Sequence, residues 1–277
     1  MSLKFSKMQG IGNDFVVLDR REQTDPLSAA AARRIADRHF GVGCDQVMSI
    51  ETATDPAAAF AYGIWNQDGS AAGQCGNGVR CVVAWLARAG LIDRGVVRLQ
   101  GPSGLVGCEL LESGMVRVNM GAPNFAPASL PFLAADEASV YPLRVDGNDV
   151  EVAAVSIGNP HVVIRVDDIK RAPVNRIGAL LESHARFPDR VNVGFVQLLD
   201  RGHIALRVFE RGVGETLACG TGACAAAVVG IRLGALEARV VVALPGGELL
   251  IDWAGAAEPV WMTGAAEFVY EGIWHEH

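Results

Sequence analysis

The chain has 277 residues, 50% of them apolar, and carries 24 Lys and Arg against 31 Asp and Glu, a formal net charge of −7. That length accommodates one large domain or two ordinary ones, and the acidic balance without a basic cluster excludes nucleic acid or an anionic membrane as the main partner. No apolar run approaches the ~18–20 residues of a membrane-spanning helix. The opening Met1-Ser-Leu-Lys-Phe5 lacks the basic and apolar regions of a secretory signal, so a cytoplasmic location is expected.

In chain order, the β-branched run Phe15–Leu18 predicts a strand, and Leu27–His39 predicts a surface helix. A second helix follows Cys75 and ends at Gly90. Its apolar stripe is Val79, Val82, Val83 and Leu86, with Arg80 and Arg88 off the stripe. Glu112-Ser-Gly114 is a hairpin signal, Pro123–Pro131 reads as a linker, and Asp146-Gly147 marks another hairpin. Strands are predicted at Val162–Ile164 and Ile204–Phe209, with a surface helix at Ile177–His184 between them. Ala223–Ile231 has no polar face, which predicts a buried helix. Strands follow at Arg239–Leu244 and Leu249–Trp253, hinged at Pro245-Gly-Gly247, and a last strand at Glu267–Ile273 is expected to return to the first domain.

The chain repeats itself. Gln74-Cys-Gly-Asn-Gly78 and Ala218-Cys-Gly-Thr-Gly222 stand 144 positions apart (75 and 219), each before a helical run. Ile11-Gly-Asn-Asp-Phe-Val-Val-Leu18 matches Ile157-Gly-Asn-Pro-His-Val-Val-Ile164, so Phe15 answers to His161. Ile64-Trp-Asn66 and Val208-Phe-Glu210 lie at equal distances before their cysteines, so Asn66 answers to Glu210. A duplicated domain of about 110–120 residues is the implied unit, too long for a solenoid repeat. The expected fold is α/β (α+β) in class: two pseudosymmetric duplicated domains, each a barrel-like, mostly antiparallel or mixed sheet around one central helix. The expected boundaries are 1–120 plus 265–277 for the first and 121–264 for the second, with the active site in the cleft between them.

The chemistry sits at the helix mouths. A cysteine in a helix's first turn feels the positive end of the dipole, which favours its thiolate. The adjacent glycines let unpaired backbone N–H groups approach a ligand, as suits a carboxylate. Two such mouths facing one site could remove a proton from one face of a carbon and return it to the other, which is racemisation or epimerisation beside a carboxylate. The other cysteines, Cys44, Cys81, Cys108 and Cys224, read as buried small hydrophobes. The spacings Cys75/Cys81 and Cys219/Cys224 do not fit a zinc knuckle, and no lysine motif, phosphate loop or dinucleotide fingerprint is present. Neither a metal nor a cofactor is expected. A redox or metal-binding module built on paired cysteines is the reading from a different class. His161, Asn13 and Asn159 could each be turn residues only, and Glu210-Arg211 could be an ordinary charge pair. His39, His184, His203, His275 and His277 read as surface residues.

The same segments, with Gly10–Phe15, Asp68-Gly-Ser70, Gly158–His161 and Glu210–Thr216, resemble the diaminopimelate epimerase family over nearly the whole chain, Phe5 to Tyr270. The resemblance implies a cofactor-independent isomerase converting LL- to meso-diaminopimelate for lysine and peptidoglycan synthesis. It implies Cys75 and Cys219 as the acid/base pair, with His161 and Glu210 adjusting the thiols. It further implies Asn13, Gln46, Asn66, Gly76, Asn77, Asn159, Asn192, Glu210, Arg211, Gly220 and Thr221 as substrate ligands. Arg211 suits the distal carboxylate, which a guanidinium binds with two parallel hydrogen bonds. A homodimer with Tyr270 at its interface is also implied. A related two-thiol racemase, of the proline type, is the enzymatic alternative.

Overall fold

The computed structural model describes residues 2–23 and 25–275; His277, expected at the surface, lies outside the described residues. The chain divides into two compact units, Met1–Asn119 with Thr263–His277, and Met120–Met262.

The first unit opens with β1 (Ser2–Gly10) and β2 (Asn13–Asp19), an antiparallel hairpin closed by Ile11-Gly12. Both turn residues have positive φ, 51° and 88°, as a type I′ turn requires. Gly12 adopts this freely, but β-branched Ile11 is strained there. After α1 (Ala29–Ala36), capped by the Ser28 hydroxyl, the chain returns parallel to β2 as β3 (Gln46–Glu51), then antiparallel as β4 (Phe60–Asn66). The helix α2 (Gly76–Arg88) crosses to β5 (Gly95–Gly101), parallel to β4, and β6 (Gly104–Leu110) and β7 (Val116–Asn119) complete the meander. The C-terminal strand Glu267–His275 pairs antiparallel with β1, the return expected from the sequence.

Helix α2 touches β1, β2 and β3 and also β6 and β7, so the sheet curls round it, while α1 lies against β3 and β4. The stripe Val79, Val82, Val83 and Leu86 is completely buried, each valine or leucine contributing roughly 1.5–3 kcal/mol by burial. Arg80 departs from the sequence reading. It is as buried as the stripe, because its guanidinium donates to Asn77 Oδ1 at 2.9 Å and to the Ala265 carbonyl at 3.1 Å. Arg88 is exposed, as expected.

The second unit repeats the plan. A hairpin of β8 (Tyr141–Val145) and β9 (Asn148–Ser156) turns at Asp146-Gly147, and β10 (Pro160–Arg165) runs antiparallel to β9. The helix α3 (Val174–Glu182) leads to β11 (Asn192–Leu198), parallel to β10, and β12 (His203–Glu210) follows antiparallel. After the short β13 (Gly214–Thr216), α4 (Gly220–Arg232) crosses to β14 (Arg239–Leu244), parallel to β12. The strand β15 (Gly247–Asp252) closes the set, and β16 (Trp261–Gly264) carries the chain back. In both units a parallel pair is joined through a helix, as parallel strands require.

Helix α4 touches β9, β10, β11, β12, β14 and β15. It is buried at Gly220 and at every position from Gly222 to Gly230, as its lack of a polar face predicts. A Cβ at Gly230 would stand 2.3 Å from Leu236 Cδ1, so only glycine permits this approach. A second core lies on the outer face, where Phe132 stacks on Phe187 at 4.5 Å and meets Tyr141 edge-on at 4.7 Å. The Pro123–Pro131 stretch is not a free linker. It belongs to the second unit, where Asn124 bridges Ser156 and Phe125 packs on Trp253 and under Arg232.

Candidate active site

In the first unit, Cys75 is the N-cap of α2 in an extended conformation (φ −149°), and its sulfur accepts from Gly78 N–H at 3.4 Å. A Cβ at Gly78 would meet Met48 Sδ at 2.8 Å and Phe15 Cε1 at 3.1 Å, so a side chain there would have to displace the end of Met48. Asn13 opens β2 with its Oδ1 3.9 Å from Cys75 Sγ and 3.3 Å from Asn77 Nδ2. Register places Phe15 beside Gln46 and Gln46 beside Asn66, so the β2 start, β3 start and β4 end share one end of the sheet. There Gln46 Nε2 donates to Asn66 Oδ1 at 2.9 Å, and Asn66 Nδ2 donates to Ser70 Oγ at 3.1 Å. Ser70 in turn donates to Asp68 at 2.6 Å. Of the predicted residues, Asn13, Gly76 and Asn77 lie at the Cys75 mouth, while Gln46 and Asn66 pair with each other where the β3 start meets the β4 end.

The second unit has the same frame with different chemistry. His161 pairs in register with Asn192, as Phe15 does with Gln46. Cys219 caps α4, its sulfur 3.7 Å from Thr221 Oγ1, and Thr221 Oγ1 accepts from Asn159 Nδ2 at 3.3 Å. Asn159 Oδ1 lies 3.0 Å from His161 Nε2. An amide oxygen only accepts, so that nitrogen carries the imidazole proton. His161 Nδ1 is then a buried acceptor with no hydrogen-bond partner among the described residues. Burial, and secondarily the Arg211 charge, lowers its pKa from 6.5 to about 3, so the ring is neutral. Asn192 is clamped by backbone: its Nδ2 donates to the Pro160 carbonyl at 2.9 Å and its Oδ1 accepts from Arg211 N–H at 3.0 Å. Arg211 is exposed, with one guanidinium nitrogen on the Asp189 carbonyl at 3.1 Å. Glu182 accepts from Gly212 N–H at 2.6 Å and steadies that turn.

The two thiols differ. Cys75 is partly exposed, whereas Cys219 is 4% exposed. Burial pushes the Cys219 thiol well above its usual value, and the neighbouring Glu210 carboxylate pushes it further; Gly222 N–H and the Thr221 hydroxyl pull it back only in part. The expectation that a helix mouth makes each cysteine a thiolate therefore fails at Cys219. A helix terminus is worth roughly 0.3–1 kcal/mol, up to ~2, while complete burial shifts a pKa by up to ~3–5 units. Glu210 is held by the Thr216 hydroxyl. Cys44, Cys81 and Cys108 are buried thiols pushed up to about 12, and Cys224 is buried as well.

Sequence reasoning assigned no role to Asp45, Arg80, Asp68, Thr216 and Glu182, which hold the site's residues. Asp68 and Thr216 lie inside the motif segments Asp68-Gly-Ser70 and Glu210–Thr216, and Asp45 adjoins Gln46, which were the signals available. Tyr270 lies half exposed on the C-terminal strand, edge-on to Phe5 at 5.8 Å between centroids. Among the described residues no three His, Cys, Asp or Glu side chains are grouped to hold a metal ion, and no helix is long and apolar enough to cross a membrane.

A protein from Agrobacterium vitis, a hydroxyproline epimerase solved with bound trans-4-OH-L-proline, superposes with a TM-score of 0.72 at 16% identity, over 98% of this chain and 92% of that one. A Bacillus anthracis phenazine biosynthesis protein of the PhzF family also gives 0.72 at 16% identity, over 99% of both chains. At such identity these likenesses show the fold alone: a mixed α/β architecture in duplicate. Sequence relatives are much nearer. The diaminopimelate epimerase of Xanthomonas euvesicatoria is 54% identical over 274 residues, 99% of this chain and 96% of the relative. That of Teredinibacter turnerae is 49% identical over 272 residues, 98% and 99% of the two chains. The model of the family described as diaminopimelate epimerase matches residues 5–126 and 153–269. The chain therefore belongs to the diaminopimelate epimerase family of isomerases.

Proposed function

We propose that this chain epimerises LL-diaminopimelate to the meso form without a cofactor, Cys75 and Cys219 acting from opposite faces of the α-carbon. The observation that carries the reading is the pair of cysteine-capped helices, α2 and α4, each opening among asparagine side chains within its own duplicated unit. Cys219, held as the thiol by burial and by Glu210, is the proton donor, and Cys75, the more accessible sulfur, is the acceptor; the reverse reaction exchanges these roles. The N–H groups at Gly76–Asn77 and Gly220–Thr221 bind the reacting carboxylate and stabilise the enediolate-like charge that develops there. Asn13, Gln46, Asn66, Asn159 and Asn192 bind the polar ends of the substrate. Arg211, an exposed residue, binds the distal carboxylate.

The reaction requires the two helix mouths to face a common substrate, so both cysteines must be essential. Incubated with diaminopimelate in deuterated water and no additive, the protein is expected to exchange the α-hydrogen. Cys75→Ala and Cys219→Ala should each lower epimerisation about 10²–10⁴-fold, the usual weight of a general acid or base. Full epimerisation by either variant would sink the two-thiol mechanism. Faster turnover of proline than of diaminopimelate would favour the proline-type racemase instead. We further place the protein in the cytoplasm as a homodimer. In support, Val269 (57% exposed), Tyr270 (48%) and Ile273 (54%) present apolar surface on the C-terminal strand; sedimentation of the purified chain as a monomer would count against the dimer.

A further inference from the structure

Two substrate-facing asparagines of the first unit lie in a hydrogen-bond chain with fixed polarity. At one end the buried Arg80 guanidinium donates to Asn77 Oδ1 at 2.9 Å. Asn77 Nδ2 donates to Asn13 Oδ1 at 3.3 Å, and Asn13 Nδ2 donates to Asp45 Oδ2 at 2.9 Å. A guanidinium can only donate and a carboxylate can only accept. Neither amide can therefore flip without setting donor against donor at Arg80, or acceptor against acceptor at Asp45. The orientation that results turns Asn13 Oδ1 toward Cys75 Sγ, 3.9 Å away.

Asp45 is itself well anchored although its side chain is 45% exposed. Arg38 pairs with Asp45 Oδ1 at 2.7 Å and also with Asp14 Oδ1 at 2.7 Å. Asp14 Oδ1 accepts from Asp45 N–H at 2.9 Å, while Asp45 Oδ2 accepts from Asp14 N–H at 3.1 Å, a reciprocal clasp between the β2 start and the loop before β3. Lys7 completes the cluster with a 2.6 Å pair to Asp14 and a hydrogen bond to the Gly43 carbonyl. Partial burial pushes the Asp14 carboxyl up, but hydrogen bonds from Arg38 and Lys7 outweigh it and hold it well below the usual range.

We infer that Asp45 is a positioning residue: it sets the amide orientation of Asn13 at the Cys75 mouth, with Arg80 fixing the opposite end of the chain through Asn77. The functional part of this inference rests on Asn13 being a substrate contact in the proposed epimerase. Two readouts separate it from that reading. The first is the side-chain amide resonance of Asn13 in ¹⁵N-labelled protein. In Asp45→Ala its two protons should lose their hydrogen-bonded dispersion and exchange faster with water. An unchanged Asn13 resonance overturns the inference, whatever the enzyme does.

The second readout is a double-mutant cycle on kcat/KM for diaminopimelate. Asp45→Ala is expected to lower it about tenfold, equivalent to ~1.4 kcal/mol. Asp45→Asn, which keeps an acceptor but not the charge, should recover part of the loss. In an Asn13→Ala background Asp45→Ala should cost less than about twofold, since the residue it orients is gone. An additive tenfold loss in that background would assign Asp45 a merely structural role and overturn the inference. If instead the wild-type chain exchanges no α-hydrogen of diaminopimelate, the proposed function fails, and the resonance test still decides the positioning.

Discussion

His161 is a buried imidazole where the first unit has Phe15, and that difference makes the second unit acid-sensitive. Its pKa falls from 6.5 to about 3 on folding, chiefly by burial. The unfolded chain thus takes up the proton first as the pH drops. The neutral ring's full contribution to stability is present above 6.5 and is lost progressively down to about 3. At about pH 4.5 the chain is 2 units below the unfolded value of 6.5, and at ~1.36 kcal/mol per unit the loss is about 3 kcal/mol. His161→Phe, which copies the counterpart Phe15 into the second unit, removes the titration. The larger ring carries a packing penalty of roughly 1–3 kcal/mol, but one that does not vary with pH. Urea unfolding of both proteins at about pH 8 and pH 4.5 measures the difference directly, because the carboxylates that titrate in this range are common to both. The wild type should lose about 3 kcal/mol more than His161→Phe between the two pH values. Equal losses would refute the argument that burial keeps His161 neutral.

Two further substitutions probe the Cys219 mouth. Burial and then Glu210 raise the Cys219 thiol, so Glu210→Gln should move the onset of its alkylation by iodoacetamide to lower pH. The onset should stay above the usual thiol range because burial persists; peptide mapping that shows no shift would remove Glu210 as a cause. Gly222→Ala places a Cβ 2.9 Å from Val208 Cγ2 and 3.1 Å from Cys219 Sγ. It should cost roughly 1–3 kcal/mol in thermal unfolding and most of the α-hydrogen exchange. Gly78→Ala should be milder, since its nearest neighbour is the flexible Met48 side chain, and equal activity of the two variants would contradict this account.

Much of this protein is local and therefore legible in its sequence. The stripe of α2, the wholly apolar α4, the turns at Asp146-Gly147 and Pro245-Gly246, and the doubling of the Cys-Gly-x-Gly segment all follow from periodicity and turn chemistry. Because the repeat carries its register with it, the pairing of Phe15 with Gln46 recurs as His161 with Asn192. Tertiary structure decided what depends on desolvation and on partners remote in the chain. Arg80 looks like a solvent-facing helix residue until the Ala265 carbonyl, 185 positions away, meets it in the core. The Pro123–Pro131 stretch has a linker's composition but is held by Ser156 and Trp253. Cys75 and Cys219 stand in near-identical motifs, yet one is partly exposed beside Asn13 and the other is buried beside Glu210. The sequence by itself determined that two cysteines would cap two helices. The surroundings that keep the Cys219 thiol protonated come from side chains brought in by packing, because the dielectric and charge around a sulfur are set by everything within a few ångströms and not by its neighbours in the chain.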